Sequence, residues 1–272
     1  MLLSALFFTA MNITVKYLSG FSAAQLVFFR SLGSLFFTVP LLIKNRISPL
    51  GNQRKWLVLR GVAGVTSMGL FFWSVQYLAI GTAVSLRYLA PIFASIFALL
   101  FLKEKIKILQ FFFFGIAFSG VLLIKGFDHQ LQTTGLVLVV GSAISSGFVY
   151  VLINKIGKHD HPVVIVNYFM MIAVFVGGIF SIFFWQKNPN ISELLMLLSL
   201  GISGYFGQLF MTKAFQSQAT NKVVSLKYVE VLFTLLGGVL LLGDNYTLIS
   251  LVGMVLVITG LVLNITYKTS SS

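Results

Sequence analysis

The chain has no cysteine, three histidines and only six acidic residues among its 272. Without thiols it can form neither disulfides nor thiolate metal sites. Charged residues of both signs make up 9% of the chain, against 58% hydrophobic residues and a mean hydropathy of +0.98. A soluble domain of this size has too little interior to hide so much apolar surface, so the surrounding solvent is lipid. There is no G-x-x-x-x-G-K-S/T phosphate loop, which excludes direct driving by ATP, and no H-E-x-x-H zinc motif. No cofactor and no metal are expected. His159-Asp160-His161 stands before Pro162 and reads as a solvated turn. The first apolar run starts almost at Met1 with neither a basic leader nor an A-x-A-like site, so no cleavable signal peptide is read. A short natural extension ahead of it is left open.

The net charge of +13 would suggest nucleic acid in a soluble protein. Here the basic residues sit mainly in short gaps between apolar runs, where they set topology, so no nucleic-acid partner is expected. A bilayer span needs about 20 apolar residues. On that measure ten spans fall at about 2–19, 22–43, 57–78, 81–102, 106–125, 134–156, 162–185, 193–216, 219–242 and 246–267. The short gaps at 79–81 and 217–219 predict tight antiparallel hairpins. With both termini cytoplasmic, thirteen basic residues, Arg60 among them, fall inside, against Lys125 and Lys187 outside. That bias fixes the expected orientation.

Ala83-Val-Ser-Leu-Arg-Tyr-Leu-Ala-Pro-Ile-Phe93 reappears 140 residues later as Val223-Val-Ser-Leu-Lys-Tyr-Val-Glu-Val-Leu-Phe233. Residues 61–124 laid on 201–264 without a gap give 13 identities. Among them are Gly61/Gly201, Gly64/Gly204, Gln76/Gln216, Tyr88/Tyr228 and Gly120/Gly260. Five spans per half is an odd number, so the second half enters the membrane in the opposite sense. Inverted repeats of this kind are built into secondary transporters, whose substrate sites lie between the halves near the midplane.

The run from Arg60-Gly61 to Phe101-Leu102-Lys103-Glu104-Lys105, preceded by Phe29-Arg30, carries a family resemblance. Its Pro91, apolar run and Leu-x-Glu resemble the end of the fourth helix in EamA-type members of the drug/metabolite transporter superfamily. The second-half counterpart, Leu241-Leu242-Gly243-Asp244, is a looser match. The resemblance covers nearly the whole chain and divides it into a first EamA repeat, 1–128, and a second, 129–272. It implies an all-α integral membrane protein with ten transmembrane helices. It further implies a cavity lined mainly by the first, third, fourth, sixth, eighth and ninth spans, and a small organic metabolite as cargo. The plasma membrane, the inner membrane in a bacterium, is the implied location, and a homodimer is compatible with this class.

Ionisable groups at membrane depth cost about 2.5–3.5 kcal/mol each on insertion scales. Arg87 lies roughly 9 Å into the fourth predicted span. Pro91, four residues on, removes the amide that would bond the Arg87 carbonyl, which predicts a kink and a polar notch for an anion. The alternative is an arginine snorkelling to the outer headgroups. Lys227 and Glu230 share a face of the ninth predicted span. Glu230 is the lone carboxylate at that depth and suits proton coupling or reception of a substrate amine; a mutually neutralising pair is the structural alternative. Arg30 reads as pinning the second span to its neighbours; reaching the cavity from behind is the alternative. Asn12, Gln76, Tyr88, Gln208 and Tyr228 complete the expected binding set, with Glu230 and Pro91 as coupling and gating positions. Three cations to one acid favour an anionic or zwitterionic cargo: an amino acid, a compound like S-adenosylmethionine, or an organic acid. The leading expectation is an alternating-access carrier partnered by its substrate, membrane lipid and a coupling proton. A passive facilitator or channel is the alternative. An intramembrane lipid-modifying enzyme fits less well, because the three histidines (129, 159 and 161) fall in two loops on opposite sides.

Overall fold

The computed structural model describes residues 1–102, 108–127, 132–217, 229–243 and 247–270. The described residues form helices and connecting turns, with no strand among them. In chain order the helices are α1 (Leu2–Tyr17), α2 (Ala23–Lys44), α3 (Arg54–Ser74), α4 (Ile80–Arg87), α5 (Ala90–Leu102) and α6 (Ile108–Phe127). They continue with α7 (Thr133–Ile156), α8 (Pro162–Phe183), α9 (Ile191–Ser217), α10 (Val229–Leu242) and α11 (Leu248–Ser270). Among the described residues six stretches are long and apolar enough to cross a bilayer: α2, α3, Ile80–Phe101 across α4 and α5, Thr133–His159, α8 and α9. Phe36, Ile43, Phe175, Phe183 and Leu240 project outward from the bundle, as side chains solvated by lipid do.

Local sequence explains where several helices begin and end. Ser22 caps α2 and exchanges hydrogen bonds with Gln25 in a capping box. The His161 side chain caps α8, and Pro162 occupies its first turn, where a missing amide costs nothing. The fourth predicted span, expected as one kinked helix over 81–102, is instead broken. α4 ends at Arg87, and α5 starts at Ala90 with Pro91 in its first turn. Lacking the Pro91 amide, the chain tightens: Tyr88 N donates to Ser85 O (3.1 Å) and Leu89 N to Leu86 O (3.1 Å). The expected hairpin at 79–81 starts earlier, because α3 gives way to turns at Val75. That at 217–219 runs into residues outside the described set.

Two sets of tethers sit at opposite ends of α3. Beyond its C-terminus, Gln76 Nε2 donates to Phe21 O (2.9 Å), and Lys16 Nζ to the Val75 and Leu78 carbonyls (3.2 and 3.3 Å). At its N-terminus the buried Asp160 carboxylate accepts from Asn52 N (2.6 Å) and Gln53 N (3.0 Å). The Asp160 carbonyl in turn accepts from Gln216 Nε2 (3.0 Å). Gln76 and Gln216, matched in the 140-residue alignment, therefore make like contacts at opposite ends of the bundle.

The glycines repeat this correspondence. A Cβ on Gly120 of α6 would lie 2.5 Å from Gly253 O and 2.7 Å from Val257 N of α11. One on Gly260 of α11 would lie 2.7 Å from Phe113 O and 2.6 Å from Ala117 N of α6. Residues 113 and 117 are 253 and 257 shifted by 140, so each helix holds the other through equivalent positions. Close backbone approach over small residues drives such contacts in lipid, where no hydrophobic force acts between helices. Gly120→Val and Gly260→Val should each destabilise the detergent-solubilised protein by about 1–3 kcal/mol. Thermal melts should show similar losses for the two, and one silent substitution would contradict the paired packing.

Candidate functional site

One face of α3 builds the site. Arg60, Gly64, Ser67, Met68 and Phe71 recur at helical spacing and all line one cavity. Phe8 and Met11 of α1, Arg30 of α2 and Arg87 of α4 join them. The wall is completed by Ser146, Val149 and Tyr150 of α7, Phe169 of α8, and Gln208 and Met211 of α9. The described lining residues include three arginines and no carboxylate.

Each guanidinium is accommodated by soft or aromatic groups. Arg60 is 0% exposed, with its guanidinium carbon 4.4 Å from the Phe169 ring centre; that of Arg30 is 5.6 Å from the same ring. Arg30 donates from Nε to Met11 Sδ (3.1 Å) and from Nη1 to Met68 Sδ. Arg87 lies 4.5 Å over Phe71. Glycines make the space: a Cβ on Gly204 would fall 2.7 Å from Arg30 Nε, and one on Gly64 would fall 3.2 Å from Arg60 Nη1. Arg60 Nη2 donates to Gln208 Oε1 (3.1 Å). Arg60 Nε and Nη1 and Arg87 Nε are buried with no hydrogen-bond partner among the described residues. Unpartnered buried donors are rare in folded proteins and call for an explanation.

A second buried cluster lies outside the cavity wall. Glu230, 3% exposed at the start of α10, accepts from Asn12 Nδ2 (3.3 Å) and from Tyr88 OH (3.4 Å). Tyr88 occupies the break between α4 and α5, one residue after Arg87, so the two clusters meet at the discontinuity.

Of the residues expected from sequence, Arg87 and Gln208 line the cavity, whereas Asn12, Tyr88 and Glu230 form the adjoining cluster. Gln76 does neither; it ties two turns together at one end of the bundle. Pro91 sits at the helix break, and Lys227 and Tyr228 lie outside the described residues. Arg60, counted as a topology-setting residue near a helix end, is instead buried in the cavity wall. Arg30, expected to pin helices, lines the same cavity while its Met11 and Met68 contacts do that pinning. The signal for Arg60 was its shared helical face with Gly64, Ser67 and Phe71.

With this geometry, the family can be read from comparison. The sequence profile of the EamA-like transporter family matches residues 1–126 and 133–266. The chain belongs to the EamA-like transporter family. It is thereby a member of the drug/metabolite transporter superfamily and a multi-pass plasma-membrane transporter of small metabolites, not an enzyme. Solute carrier family 35 member G1 of Mus musculus is 29% identical over 250 residues, covering 85% of this chain and 67% of the relative. The pseudopaline exporter CntI of Pseudomonas aeruginosa is 26% identical over 260 residues, with 94% and 91% covered. An uncharacterised transporter of Helicobacter pylori is 30% identical over 262 residues, with 90% and 86% covered. A protein of known crystal structure shares the fold, with a TM-score of 0.69 at 15% identity over 99% of both chains.

His159-Asp160-His161 forms part of the tether at the N-terminus of α3, and no group of three His, Cys, Asp or Glu able to hold a metal occurs among the described residues. His161 Nδ1 accepts from Val163 N (3.3 Å). Partial burial, and then the charge of Lys213, hold this imidazole below its ordinary value of 6.5. The folded state therefore favours the neutral ring. Its contribution is complete above that value and is lost as pH falls below it. The melting temperature should drop between pH 7.5 and pH 5, and drop less in His161→Asn, which keeps a capping side chain. Identical pH profiles would contradict this role.

Proposed function

We propose that the chain is a secondary carrier that moves a small organic anion across the plasma membrane by alternating access between two inverted five-helix halves. The observation that carries the reading is the convergence of Arg30, Arg60 and Arg87 on one cavity with no carboxylate among its described lining residues. Buried, unpaired guanidinium N–H groups attract an anion strongly, because low dielectric magnifies the charge. A zwitterion fits less well, since Glu230, the group suited to an ammonium, stands outside the wall.

The ten-span topology joins α4 to α5 as one span and gives one span to each other helix, with α10 as part of the ninth. The equivalent contacts of Gly120 and Gly260, and of Gln76 and Gln216, support the inverted arrangement. Lys44, Arg46, Arg54, Lys55, Lys155 and Lys158 flank the end tethered by Asp160, which supports cytoplasmic termini. A discontinuous helix at the repeat interface is where such carriers bind cargo. Glu230 is the coupling group in this reading. A proton on its carboxylate changes what Asn12 and Tyr88 hold, and Tyr88 passes that change to the break beside Arg87.

Proteoliposomes offered labelled organic acids, amino acids and S-adenosylmethionine test the reading. Saturable uptake of an organic anion is expected, with kcat/KM reduced about 10- to 100-fold in Arg60→Gln or Arg87→Gln, the loss of one charged hydrogen bond. Glu230→Gln should keep uptake but lose its response to a pH gradient. Wild-type rates in Arg60→Gln would remove the cavity from the transport path.

A further inference from the structure

Two of the three arginines differ from the third in what they still need. Arg30 spends its Nε and Nη1 donors on the thioethers of Met11 and Met68. Arg60 keeps two buried donors and Arg87 one that find no partner among the described residues. These two, from α3 and α4, also lie at different levels along the α3 axis. The Arg60 guanidinium lies beside Gly64, as the 3.2 Å approach to its Nη1 shows, and Arg87 lies over Phe71. Seven residues of α3 separate those levels, about 10 Å along its axis. Between them the wall is apolar or self-satisfied: Met68 and Phe72 offer no donor, and the Ser67 hydroxyl is engaged with Ser146 (2.6 Å).

From this we infer that the cavity has two separate anion heads, Arg60 and Arg87, and that its cargo is a dianion with two acidic groups joined by a short apolar linker. Arg30 is a positioning residue whose charge raises the potential of both heads without taking either. The inference rests on the anion-carrier reading above and narrows it. One guanidinium–carboxylate contact at each end, about 4 Å between carbon centres, leaves roughly 2–4 Å between the two acidic carbons. That is the span of α,ω-dicarboxylates of three or four carbons. A monoanion would fill one head and leave the other buried and unpaired, which penalises it as any missing partner of a buried donor does.

The test is binding of malonate, succinate and glutarate, each against its mono-amide, to the purified full chain by calorimetry. The mono-amides keep length and shape but remove one charge. At least one diacid should bind tenfold or more tighter than its mono-amide. Arg60→Gln and Arg87→Gln should each weaken the diacid at least tenfold and the mono-amide less than threefold, which erases the preference. Arg60→Lys and Arg87→Lys, which keep the charge, should retain part of it, and size-exclusion profiles establish that each variant is folded. Equal binding of diacid and mono-amide by the wild type overturns the two-headed site, and so do equal losses for both ligands in the glutamine variants. In those cases anion binding itself survives. Absence of binding by every acid, together with absent uptake of every anion, overturns the carrier reading as well.

Discussion

Three guanidinium groups share one cavity inside an apolar bundle, and no carboxylate among the described lining residues neutralises them. Each costs about 2.5–3.5 kcal/mol at a helix centre on insertion scales. A desolvated aromatic face returns roughly 2 kcal/mol, so Phe71 and Phe169 make the arrangement tolerable without cancelling its charge. The remaining positive potential attracts anions and disfavours hydrophobic cations. Gly64 and Gly204 follow from the same constraint, because any side chain there would occupy the space of Arg60 or Arg30.

A carrier also needs an element that can change between two arrangements. The break at Tyr88–Leu89 supplies one, because Pro91 has already removed a helical hydrogen bond and the backbone there turns through tighter bonds to Ser85 and Leu86. Arg87 on one side of it faces the cavity, and Tyr88 within it faces Glu230. In the proposed carrier, anion and proton thus act on neighbouring residues of one discontinuous helix. The tethers at the two ends of α3 join segments of both halves at one end, where Asp160 and Gln216 meet Asn52 and Gln53. Rocking of the halves would have to loosen that end.

Much of this was legible in the residues. Apolar run length located the helices, and the 140-residue repeat located matched positions, because both are carried by local or periodic pattern. Arg87 and Glu230 stood out as charges far from any span end. Arg60 did not, since an arginine near the start of an apolar run looks like a topology signal until its helical face is compared with Gly64, Ser67 and Phe71. Arg30 was visible as buried, with the cavity only the second of its two readings. Its neighbours Met11, Met68, Phe169 and Gly204 come from four other helices, and no spacing within α2 reveals them. Gln76 misled for the opposite reason: a polar residue in an apolar run resembles a ligand, whereas its amide serves a carbonyl 55 residues away.

The arginine cluster is tested most directly by anomalous diffraction from crystals of the protein soaked in selenate, a heavy dianion. Density is expected in the cavity within about 4 Å of the Arg60 guanidinium, at hydrogen-bonding range of its unpaired donors. A cavity without such density, with a carboxylate of the chain itself turned in against Arg60 or Arg87, would contradict an anion site there. The charges would then be a neutralised structural cluster.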